Sequence, residues 1–127
     1  MNGIEVPHIP YRYVGRREWL AWAAGVFDGE GYVGVRFNSP KNRGIQAIVV
    51  QKDRRLLYKF RQVLKGGRIY GPKKESGCSY WQVTSGGDVL RLYEYLAPYL
   101  SPVKLIQFRR AFKTWLKVRQ KHGRVRP

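Results

Sequence analysis

Acidic side chains are scarce in this protein, with eight Asp or Glu against 25 Lys or Arg. Two of the eight lie in Trp19-Leu-Ala-Trp-Ala-Ala-Gly-Val-Phe-Asp-Gly-Glu-Gly31, where small and apolar residues at helical spacing run into two acids separated and followed by glycine. Asp-Gly-Glu-Gly is compatible with an ordinary helix-to-strand turn. It is equally compatible with carboxylates placed for a purpose, and Glu30 is the residue to explain. Other chemistry-bearing residues are few. Cys78 is the single cysteine, which excludes an intrachain disulfide and a cysteine-built zinc site. His8 and His122 lie near opposite ends of the chain and are not expected to act as ligand or base.

The charge sets the class of partner. A formal net charge of +17 on 127 residues exceeds what solubility needs, and such self-repulsion is tolerated where the partner is a polyanion. Nucleic acid leads. A membrane surface competes less well, because no amphipathic basic anchor, lipidation motif or bilayer-length apolar run is visible. Neither a membrane nor a small-molecule substrate is expected as partner. Nothing at the N-terminus resembles a signal peptide, so an intracellular location is expected.

The elements that would hold these residues can be read from periodicity. Residues 1–15 are aperiodic and read as an arm, 16–121 as one domain and 122–127 as a basic tail. A helix is expected over 16–28. Tyr32 to Asn38 alternates, with Val33, Val35 and Phe37 on one side and Tyr32, Gly34, Arg36 and Asn38 on the other. A turn over 39–44 leads to a second strand over 45–51. Asp53 caps a helix with the stripe Leu56, Leu57, Phe60, Val63 and Leu64, ended by Gly66-Gly67. Strands follow over 68–72 and 79–85, then a helix over about 88–96. Ser101-Pro102 opens a last helix with the stripe Leu105, Phe108, Phe112 and Trp115.

This order is α+β, a four-stranded antiparallel sheet with helices stacked on one face. The other face is left free, and on it fall Tyr32, Gly34, Arg36, Asn38, Gln46, Ile48, Arg68, Tyr70, Tyr80, Gln82 and Thr84. Arg, Asn and Gln suit base edges in the DNA major groove, and apolar groups such as Ile48 suit thymine methyls. A solvated face with cross-strand pairs is the plainer account, which the charge disfavours. The last 27 residues carry nine Lys or Arg and no acid, a composition for phosphate contacts without sequence preference.

Ala23-Ala-Gly-Val-Phe-Asp-Gly-Glu-Gly31 resembles the motif of the LAGLIDADG homing endonucleases. Ile48-Val-Val-Gln-Lys-Asp53 and Pro98-Tyr-Leu-Ser-Pro-Val-Lys104 resemble further segments of that family, in the same order. The resemblance spans Trp19 to about Trp115 and implies an αββαββα fold with a saddle-shaped, DNA-binding sheet. One copy of the motif implies a homodimer joined through the motif helices, with Ala21, Ala24 and Gly25 allowing close approach and Asp28 tying down the helix end at that interface. A two-fold dimer reads a long, near-palindromic double-stranded DNA site.

By the same resemblance Glu30, with the Gly29 carbonyl, would hold Mg²⁺. Two or three ions per dimer are implied, with Mn²⁺ or Ca²⁺ able to replace it for binding. Gln51 would hold the attacking water, while Arg55 and Lys104 would offset charge on the phosphate. The chain departs from the motif at Ala23, where the family has Leu, and at Gly29-Glu30, where it has Ala-Asp. The function implied is a metal-dependent DNA endonuclease. The alternatives are a catalytically silent DNA-binding regulator or an intron RNA maturase of the same fold, and a small RNA-binding module of ribosomal type.

Overall fold

A computed structural model describes residues 15–37 and 43–122. Residues 1–14 of the expected arm, residues 38–42 with Asn38 and most of the expected turn, and the last five residues lie outside them. Four helices and four strands follow in the order α1 (Arg16–Glu30), β1 (Gly31–Phe37), β2 (Arg43–Gln51), α2 (Arg54–Leu64), β3 (Arg68–Tyr70), β4 (Ser79–Val83), α3 (Gly86–Leu96) and α4 (Pro102–His122). A single 3₁₀ turn, Ala97–Tyr99, joins the last two helices. All strand pairs are antiparallel in the order β1-β2-β4-β3, so two hairpins meet along their second strands.

The alternation expected from sequence decides which face is buried. Val33, Ile45, Ala47, Val49, Trp81 and Val83 join Ala23, Phe27, Leu57, Phe60, Val89, Leu92 and Phe108 in one core between the sheet and the helices. Within it Phe27 meets Phe108 at 5.4 Å and Phe60 meets Trp81 edge-on at 4.8 Å. Each fully buried side chain of this size contributes about 1.5–3 kcal/mol relative to exposure.

Two glycines are required by this packing. The amide of Gly31 bonds to the Phe27 carbonyl as α1 turns into β1, and a Cβ there would stand 2.4 Å from the Phe27 ring. Gly67 has φ +104°, and a Cβ would meet the Trp81 indole at 2.0 Å. Helix α2 ends on a left-handed Lys65 rather than on the glycine pair expected, and Gly67 adopts its own positive φ two residues later.

Other boundaries shift by a residue or two. Helix α1 continues through Gly29 and Glu30, two residues past the sequence expectation. Helix α3 begins at Gly86, not near Asp88, because the Ser85 hydroxyl accepts the Asp88 amide at 3.0 Å. Strand β4 stops at Val83, which leaves Thr84 just beyond it. Helix α4 runs through His122, one residue past the expected domain boundary. No helix among the described residues is long and apolar enough to cross a membrane.

Candidate active site and nucleic-acid interface

The outward face of the sheet follows from register. Tyr32 pairs with Ile48, Ile48 with Gln82 and Gln82 with Arg68, so these four form one row across all strands. Gly34 beside Gln46 lies to one side, and Val50, Tyr80 and Tyr70 lie to the other. Apart from Asn38 and Thr84, every residue assigned to this face from sequence stands on it. Tyr32 is 50% exposed, with its phenol folded over Gly34. Arg36 reaches across Gly44, and its Nε is buried without a hydrogen-bond partner among the described residues.

Basic and aromatic groups alternate toward the β3 edge of the face. Tyr70 and Tyr80 stack at 5.1 Å, Arg68 lies over Tyr70 at 5.6 Å and Lys73 over Tyr80 at 4.7 Å. Lys73, in the β3–β4 loop, was not singled out from sequence. Its only signal there is membership of a polar Lys-Lys loop, which any exposed turn would share.

A second feature gathers where α1 meets β1. The Asp28 carboxylate turns inward and accepts the Ser101 amide at 3.1 Å and the Ser101 hydroxyl at 2.9 Å, tethering the start of α4. Ser101 in turn accepts the Lys104 amide at 3.4 Å. That geometry holds Lys104 so that its ammonium donates to the Gly31 carbonyl and to Gln107 Oε1, the latter at 3.3 Å. Lys104 therefore stands one residue from Glu30. Asp28→Ala is expected to cost about 1–3 kcal/mol, because the Ser101 donors lose their acceptor. Urea denaturation measures this, and Asp28→Asn, which keeps an acceptor oxygen, should lose less.

Glu30 differs from Asp28 in its surroundings. It is exposed, and makes no hydrogen bond or ion pair among the described residues although the sequence carries 25 Lys or Arg. It also sits at the negative end of the α1 dipole, which disfavours a carboxylate and favours a cation bound to it. The donor set suits a hard divalent ion, with a carboxylate and the terminal carbonyls of a helix in one place. One chain supplies too little to enclose it, since no group of three or more Asp, Glu, His or Cys occurs among the described residues. Any such ion would need further oxygens from phosphate, water or a second chain.

Gln51 and Arg55 complete the same end of the sheet. Gly31 pairs with Val49, so Gln51 lies two positions beyond, opposite Ser79. Its Oε1 accepts the Lys52 amide at 3.0 Å. Arg55 is 91% exposed and pairs with Asp53 through two 3.0 Å contacts. That hydrogen bonding holds the Asp53 carboxyl below its ordinary range and the Arg55 guanidinium above its own. The Asp53 contribution is present above the usual carboxylate range and is lost as pH falls below it, through the lowered value of the folded state. A pair so exposed contributes little, leaving Arg55 able to exchange Asp53 for a phosphate.

Along α1, Ala21, Gly25 and Gly29 recur every four residues on an exposed face, and nothing stands within 4 Å of a Cβ placed on either glycine. Ala24 corrects the sequence grouping. It is fully buried in the core of its own subunit, because its position on the helix turns it toward the sheet.

A four-stranded antiparallel sheet with its helices on one face is a fold shared with solved LAGLIDADG homing endonucleases. The homing endonuclease I-CvuI, in complex with its target, matches with a TM-score of 0.69 at 22% identity over 84% of this chain and 71% of that one. The homing endonuclease I-TnaI matches with a TM-score of 0.62 at 20% identity, over 80% of this chain and 74% of that one. The LAGLIDADG homing endonuclease I-GzeII, in complex with its DNA target, gives 0.64 at 22% identity, over 94% of this chain and 39% of that one. No family model and no curated protein matches the sequence, so the likeness lies in the fold.

Proposed function

We propose that this protein is a LAGLIDADG-type endonuclease that binds a long, near-palindromic duplex as a homodimer and cuts both strands in the presence of Mg²⁺. The observation that carries the reading is Glu30, an uncommitted carboxylate one residue before the Gly31 carbonyl that holds Lys104, at the end of a helix whose small-residue face lies open. Two copies meeting along Ala21, Gly25 and Gly29 would bring two Glu30 side chains together between two basic sheets. The neighbours support the DNA partner, since I-CvuI and I-GzeII are each seen with DNA. They also support a divalent ion, since I-CvuI complexes are described with Ca and with Mg.

Mg²⁺ held by Glu30 and the Gly29 carbonyl would make bound water a stronger nucleophile and stabilise the leaving oxygen. The chain's own groups do the rest. Lys104, fixed by the Gly31 carbonyl and Gln107, places a positive charge where the phosphate accumulates negative charge. Gln51 offers an amide to orient water, and Arg55 exchanges its exposed Asp53 partner for a phosphate oxygen. The outward sheet residues set position and sequence.

The test is selection of cleaved molecules from a random duplex library with Mg²⁺, with the mass of the protein–DNA complex measured in Ca²⁺. Two subunits per duplex and double-strand cuts within a near-palindrome are expected. A monomer on DNA, or tight binding without cleavage in any divalent ion, overturns the reading. The second outcome would instead indicate a silent regulator or maturase.

A further inference from the structure

Across the outward face, one hydrogen bond joins side chains from different strands among the described residues: Gln82 Nε2 donates to Gln46 Oε1 at 2.9 Å. Both side chains are half-buried on the two central strands, and Gln82 is the direct neighbour of Ile48. A side-chain amide carries two N–H donors and one acceptor oxygen. Gln46 Nε2 and Gln82 Oε1 form no further hydrogen bond among the described residues, yet neither is a buried orphan, so both face solvent. The joined pair therefore presents one donor group and one acceptor group, in fixed relation. Turning both amides over merely exchanges the two, and the pair still presents one donor group and one acceptor.

Among the bases, adenine alone shows an adjacent acceptor and donor, N7 and N6, in the major groove, whereas guanine shows two acceptors. We infer that Gln46 and Gln82 act as a single adenine-reading unit, with Ile48 meeting a thymine methyl beside it. The inference rests on the proposed binding of duplex DNA by this face. It differs from independent readout in a specific way: two glutamines govern one base pair, not two. In a two-fold dimer that base pair occurs once in each half-site.

Binding selection on a random duplex library, with the full chain in Ca²⁺, tests the inference. Wild type should prefer adenine at one symmetric pair of positions, by about 5- to 150-fold over guanine. Gln46→Ala and Gln82→Ala should each lose preference at that same position, and the double variant should lose no more than the stronger single. Gln82→Met, similar in volume, guards against a folding defect. Control of two different positions by the two residues, a guanine preference, or an unchanged profile overturns the inference. Failure of wild type to bind any duplex would show as a flat selection, and would overturn the DNA reading itself.

Discussion

Glu30→Gln is expected to reduce Mg²⁺-dependent cleavage by about 10³-fold or more, with duplex binding retained. The size follows from the loss of several kcal/mol of charge stabilisation supplied through a metal ligand, at about 1.4 kcal/mol per tenfold in rate. The same change should leave the fold untouched. Glu30 is exposed and makes no polar contact among the described residues, and substitutions at such positions fall within about 0.5 kcal/mol. Affinity for DNA without divalent ions should hold or rise, since one negative charge near the phosphates is removed. Single-turnover cleavage and a mobility-shift titration on the selected duplex separate the two effects. Equal cleavage by wild type and variant would remove Glu30 from the reaction, and the proposed centre with it.

Much of this site is legible in the sequence because it depends on local patterns. Alternation in Tyr32 to Arg36 and in Ile45 to Val50 distinguishes the two sheet faces, since a strand has a period of two and one face must be buried. The Ser101-Pro102 helix start is equally local. What escapes is the part set by contacts distant in the chain. Asp28 and Glu30 are chemically alike and two residues apart, yet Ser101, 73 residues away from Asp28, captures only the first. Ala24 and Gly25 are both small, and only the docked sheet determines that Ala24 is buried while Gly25 stays open. The need for glycine at position 67 has the same origin, since it comes from the Trp81 indole packed against it.

Trp81→Ala should have the largest effect on stability, about 3–5 kcal/mol, the range for truncating a large buried aromatic. Trp81 is 1% exposed, packs edge-on against Phe60 at 4.8 Å and donates its indole N–H to the Gly66 carbonyl at 2.8 Å. Its removal leaves a void beneath Gly67, whose backbone is shaped to the indole. Trp81→Phe should cost less, because the ring contact with Phe60 survives and the Gly66 carbonyl, on an exposed residue, can turn to water. Urea denaturation measures both, and a loss under about 1 kcal/mol for the alanine variant would contradict the core described above. Unfolding of domains this size is commonly opposed by only about 5–15 kcal/mol in total, so the variant operates near its threshold. The functional consequence follows from alternation in β4. Trp81 faces the core while Tyr80 and Gln82 face outward, so loosening the strand from behind displaces residues of the proposed DNA face before it reaches Glu30. At a permissive temperature the variant should therefore lose sequence discrimination more than it loses cutting of the duplex it still binds.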